Sequence, residues 1–111
     1  MVSVTKMKVE PSVHERILRA FLDRVILKML QRHPSTGYEI NDSISKRFGI
    51  KIGPNVVYTK LSSMERDGLI TCLQHGRTRT HDLTEKGKET LEDVPQMIKE
   101  IQRSAMILLG G

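Results

Sequence analysis

One cysteine, Cys72, in 111 residues rules out an intramolecular disulfide framework. With no CxxC and no clustered Cys/His spacing, a structural zinc site has no support either. A single unpaired thiol fits a reducing, intracellular setting. Long apolar runs are also missing. The densest stretch, residues 21–30, is interrupted by Asp23, Arg24 and Lys28, whereas a membrane helix needs about 20 apolar residues. Residues 1–10 mix Val with Ser, Thr, Lys and Glu and lack the continuous apolar core of a secretion signal. A cytoplasmic protein without a membrane partner is expected. Phosphate-loop and nucleophile motifs are absent too. Cys72 has no base at fixed spacing, and His14, His33, His75 and His81 fit no ligand pattern. Neither an enzyme, nor a metal, nor a cofactor is expected.

Acidic residues are in the minority, 13 against 18 Lys and Arg, for a formal charge of +5. The excess is uneven. By position, residues 1–34 carry seven basic and three acidic side chains, 35–83 seven and five, and 84–111 four and five. A basic body followed by a near-neutral end points to one surface for a polyanion and a second element with a different task. The length suits one domain with one core, and 38% hydrophobic with 28% charged residues is ordinary globular usage.

The first helix opens at Ser12, three residues before Glu15 in capping-box spacing, and ends at His33-Pro34 because the residue before proline leaves the α region. Its apolar residues, from Ile17 and Phe21 to Leu30, cover more than one face, so two partners are expected to cover it. A second helix runs from a Ser35 or Thr36 cap to Phe48, closed by Gly49. Gly37 on its inner face implies a close backbone approach, expected against the first helix. Pro54 starts the third helix, which stops at Gly68. Residues 69–74 and 78–83 have strand character and form a hairpin across His75-Gly76-Arg77.

The third helix turns Val57, Leu61 and Met64 inward and Asn55, Thr59, Ser62 and Arg66 outward, with Tyr58 and Lys60 on the flanks. An outer face of amides, hydroxyls and one arginine is either a solvated surface or a reader of groove edges and phosphates. The hairpin tip adds His75, Arg77 and Arg79, cations placed where a duplex backbone or minor groove could receive them. Three helices followed by a basic hairpin give an α+β, mainly α fold. It is a winged helix-turn-helix with a two-stranded β-wing, the third helix entering the major groove. The expected organisation is a flexible segment over 1–11, the winged domain over 12–83 and a C-terminal dimerisation helix over 84–111.

Three runs carry a resemblance: Leu22-Asp23-Arg24-Val25-Ile26-Leu27-Lys28-Met29-Leu30, Thr36-Gly37-Tyr38-Glu39-Ile40, and Gly53-Pro54-Asn55-Val56-Val57-Tyr58-Thr59-Lys60-Leu61. With Met64-Glu65-Arg66-Asp67-Gly68-Leu69-Ile70 and Leu83-Thr84-Glu85-Lys86-Gly87, the sequence over about residues 20–90 resembles the PadR family of winged-helix transcriptional regulators. The resemblance implies homodimeric repressors bound to double-stranded DNA, often released by a small phenolic or drug-like effector, with Tyr38 and Tyr58 among the distinguishing positions and Tyr58 at the DNA. The chain is similar to the short branch of that family. It has His81 and Asp82 where many members have aromatic residues, and it lacks the tryptophan with which some members hold planar drugs.

Independently of the resemblance, Val94, Met97, Ile98, Ile101, Ala105 and Leu108 form one apolar stripe that asks for a partner surface. A second copy of the chain, meeting also the spare face of Ile17 and Phe21, is the expected partner. Pro95 is expected to break or kink the helix entering this stripe. The competing reading is a winged-helix module that docks on another protein and does not bind DNA.

Overall fold

The computed structural model describes residues 12–110; the flexible segment expected over 1–11 lies outside the described residues. The order of elements is α1 (Val13–Ala20), α2 (Leu22–Arg32), β1 (Ser35–Thr36), α3 (Gly37–Phe48), α4 (Pro54–Arg66), β2 (Ile70–His75), β3 (Thr78–Leu83), α5 (Glu85–Leu91) and α6 (Val94–Leu109). The fold is the mainly helical winged helix-turn-helix that the pattern predicts, with α3 and α4 as its second and third helices.

Four features depart from the expected pattern, two of them through non-local contacts. The expected first helix is two, α1 and α2, separated at Phe21, whose φ of −117° and ψ of 33° leave the helical region. The backbone bonds Phe21 N to Ile17 O and Val25 N to Phe21 O persist across the break, so the two pieces bury different residues without losing the ladder. The sheet has three strands, because Ser35 and Thr36 pair with His81 and Thr80 and place β3 in the centre. Gly37 is closed off by the Tyr58 ring of α4, not by the first helix: a Cβ there would lie 2.2 Å from Tyr58 Cε1. Residues 84–111 hold two helices, and the break falls at Glu92-Asp93, ahead of Pro95. Pro95 sits in the first turn of α6, where its missing N–H costs nothing.

The caps explain where the elements begin. Ser12 Oγ accepts from the Glu15 backbone N–H, while the Glu15 carboxylate turns to Arg19 at 2.9 Å in place of the second half of the box. Thr36, not Ser35, caps α3, and here the box is complete: Glu39 N–H donates to Thr36 Oγ1 and Thr36 N–H to Glu39 Oε1. One core, built from Leu22, Ile26, Leu27 and Leu30 of α2, Ile40 and Ile44 of α3, Val57, Leu61 and Met64 of α4, and Ile70 of β2, sits beneath these elements. Leu91 of α5 joins it.

The segment Leu83-Thr84-Glu85-Lys86-Gly87 ties the far side of the wing to the end of α4. Thr84 caps α5 by accepting from the Gly87 N–H at 3.1 Å. The same hydroxyl donates to Gly68 O at 2.6 Å, and Thr84 N–H donates to Leu69 O at 3.2 Å. Lys86 Nζ adds a bond to Asp67 O at 2.8 Å. The wing is thereby anchored at both ends on the helix that it flanks.

Candidate nucleic-acid interface

The core positions of α4 are Val57, Leu61 and Met64, all buried, so helical spacing forces Asn55, Tyr58, Thr59, Ser62 and Arg66 onto the exposed side. Lys60 is half-buried on the flank. No acidic residue occupies the first turn of α4, the end of a helix at which an anion is favoured.

The wing is a two-residue turn, with His75 and Thr78 as the last cross-strand pair and Gly76 at φ 61°. A positive φ at the first of two central residues, with none at Arg77, is the II′ geometry that follows strand twist. Gln74 Nε2 braces the turn by donating to Gly76 O at 3.1 Å. Arg77 and Arg79 are exposed. Arg77 stands at the tip, while Arg79 faces back toward α4, its Nη2 lying 3.6 Å from Glu65 Oε1.

These elements enclose a cleft of about 540 Å³. The fold brings five of the eight expected DNA-contact residues to it: Tyr38, Tyr58, Ser62, Arg77 and Arg79. Asn55, Thr59 and Lys60 do not line it; they continue the surface along α4 toward its N-terminus. Tyr38 is 70% exposed and Tyr58 47%, so both phenols are free to meet a ligand from the open side.

Two residues of the cleft escape sequence reasoning. Glu65 is the acid at its rim, and its pairing with Arg79 depends on how far the wing folds back, which no local pattern encodes. His81 lines the cleft from the centre of the sheet and is 5% exposed. Burial pushes its imidazole below the usual histidine range; the Glu65 carboxylate pulls the other way and Arg79 reinforces the depression. Although the spacing of cysteine and histidines gives no ligand pattern, the register sets Cys72 opposite His81, with Glu65 close to both.

The expected self-association surface is only partly clear of its own chain. Val94 packs against the core, and Phe21 and Met97 line one groove beside the Arg24–Asp93 ion pair of 2.7 Å. Beyond that point α6 contains no buried residue. Ile98 is 48% exposed and Leu108 77%, Ala105 is exposed, Ile101 half-exposed, and Ile17 is exposed on α1. No helix among the described residues is long and apolar enough to cross a membrane.

The sequence profile of the transcriptional regulator PadR-like family matches residues 26–93. Among solved structures, a protein described as a transcriptional regulator from Thermoplasma acidophilum superposes with a TM-score of 0.73 at 26% identity, covering 86% of this chain and 97% of the other. A PadR-family transcriptional regulator from Eggerthella lenta gives 0.70 at 24% identity, covering 96% and 91%. Bacillus subtilis PadR in complex with operator DNA gives 0.58 at 25% identity; the shared part is 65% of this chain and 45% of that one. No match is found among curated proteins.

Proposed function

The chain belongs to the PadR-like family of transcriptional regulators, which makes it a regulator rather than an enzyme, and from that premise we propose that it is a homodimeric, cytoplasmic repressor that binds a two-fold-related duplex DNA site. The observation that carries this reading is the single cleft gathering Tyr38, Tyr58, Ser62, Arg77 and Arg79 beside the exposed face of α4. In this reading α4 enters the major groove and presents Asn55, Tyr58, Thr59 and Ser62 to base edges and phosphates. Tyr38 and Lys60 contact the backbone, and the wing sets Arg77 on the flanking strand. The family likeness adds a small-molecule effector to this reading.

Selection of bound sequences from a random duplex pool at about 150 mM salt, where weak non-specific contacts are screened, tests it. The expected product is a two-fold motif with half-sites about one helical turn apart. The same selection with Asn55→Ala and Thr59→Ala is expected to lose preference at particular positions of each half-site, where a good base contact is worth about 1–3 kcal/mol of discrimination. No enrichment from a folded protein would instead favour a module that docks on another protein.

The wing makes a separate quantitative prediction. Each phosphate neutralised contributes about 0.9 to the slope of log affinity against log salt. Arg77→Ala is expected to lower the slope by about that amount while weakening all duplexes alike. Arg79→Ala should lower it by less, because part of its charge already serves Glu65 at 3.6 Å. Titrations at several salt concentrations read both, and an unchanged slope in the double variant would take the wing off the DNA.

A further inference from the structure

We propose that Glu65, Cys72 and His81 form a binding site, at the root of the wing, for a borderline-soft divalent metal ion of the zinc class. The three residues come from three elements. Cys72 of β2 and His81 of β3 are direct cross-strand partners, so their side chains leave the sheet on the same face. That face also holds the Ile70–Leu83 pair, and buried Ile70 and His81 mark it as the side turned to the helices. Glu65, on the last turn of α4, completes the set: one ligand atom from each residue lies within 4.8 Å of the others.

A second observation points to a ligand. His81 is 5% exposed, and its Nδ1 is buried with no hydrogen-bond partner among the described residues. A buried ring nitrogen left unpaired is costly and rare.

The donors select the class of ion. One thiolate, one imidazole and one carboxylate suit zinc and its neighbours and not calcium or magnesium, which take oxygen shells. Tetrahedral bonds of about 2.0–2.3 Å would bring the ligand atoms roughly 3.5 Å apart. The remaining closure falls to Glu65, whose half-exposed side chain is free to change rotamer. Three protein ligands leave a fourth position for water, the arrangement of an open zinc site.

Occupation would draw Glu65 away from Arg79, its present partner at 3.6 Å, and release that guanidinium into the cleft assigned above to DNA. This coupling rests on the DNA-binding reading; the site itself does not. The experiment therefore reads metal without DNA.

Untagged full-length reduced protein titrated with Co²⁺ is expected to bind one ion per chain and to show a thiolate-to-cobalt charge-transfer band, removed by added Zn²⁺. Cys72→Ser should abolish the band while circular dichroism reports an intact fold. Glu65→Gln alters an exposed position and should keep the band but weaken binding by about tenfold or more, a loss of the size that even indirect ligand changes produce. Absence of the band in the wild type, its survival in Cys72→Ser, or equal affinity in Glu65→Gln would each overturn the proposal.

Discussion

Replacing Ile98 and Ile101 of α6 by aspartate is expected to leave the chain folded, convert it to a monomer and weaken its binding to a two-fold site by about 10²–10⁴-fold. The fold should survive because α6 contributes no fully buried residue to its own chain. The core of Leu22, Ile26, Ile44, Val57 and Met64 lies elsewhere. What the substitutions strike is an apolar stripe that the single chain leaves open, with Ile98 at 48% and Leu108 at 77% exposure and Ala105 exposed between them. Isolated soluble chains rarely leave contiguous patches of this kind in water.

The size of the effect follows from linkage. In a dimer, seating one half on DNA places the other at a high effective concentration over its half-site, and that gain disappears when the halves separate. Sedimentation gives the oligomeric state, and anisotropy with a full site and an isolated half-site gives the affinities. The half-site affinity should be nearly unchanged in the variant. A wild type that sediments as a monomer, or a variant that stays dimeric, would remove α6 from the interface.

Local rules reached most of the elements because the features that define them are local. Ser12, Thr36, Gly49, Pro54 and Gly68 mark ends by capping or by backbone conformation, and the inner positions Ile40, Ile44, Val57, Leu61 and Met64 repeat at helical spacing. The outer face of α4 was legible for the same reason. The break at Phe21 was not, since no proline or glycine marks it and the helical ladder runs through it. Strand β1 has only two residues, too few for any alternation, and exists only because β3 arrives beside it.

The site divides along the same line. Arg77 is readable as a hairpin-tip cation, but the Arg79–Glu65 pair and the meeting of Glu65, Cys72 and His81 join residues whose separations carry no periodic signal. Cross-strand register decides them, and register is set by where the turn falls. Gly37 is the most instructive case. Its small size was readable as a close approach, whereas the neighbour that requires it, the Tyr58 ring, belongs to another helix.

Gly37 and Gly87 pose the same steric problem and should give opposite outcomes. A Cβ on either would lie 2.2 Å from its nearest neighbour. At Gly87 that neighbour is the Leu69 carbonyl oxygen, with Leu83 Cδ2 at 3.3 Å behind it. Leu69 cannot give way cheaply, since its N–H is held by Met64 O at 2.9 Å and its oxygen accepts from Thr84 N–H at 3.2 Å. Overpacking of this kind costs about 1–3 kcal/mol or more, and each hydrogen bond lost adds about 1. The better helix propensity of alanine returns about 1 kcal/mol. Gly87→Ala should therefore lose about 2–3 kcal/mol net, a fall in melting temperature of roughly 10–20 °C for a domain of this size.

At Gly37 the obstacle is the edge of the Tyr58 ring, a side chain already 47% exposed and able to swing outward. Gly37→Ala should accordingly change stability by less than about 1 kcal/mol, as relief of the glycine penalty offsets the displaced ring. The displaced phenol, however, leaves the cleft beside α4, and duplex affinity is expected to fall by about tenfold, a loss of about 1.4 kcal/mol. Thermal melts and anisotropy on the two variants separate the cases. A Gly87→Ala protein that melts with the wild type would show that the end of α4 can shift freely. A Gly37→Ala protein that binds DNA undiminished would show that the position of Tyr58 is not part of recognition.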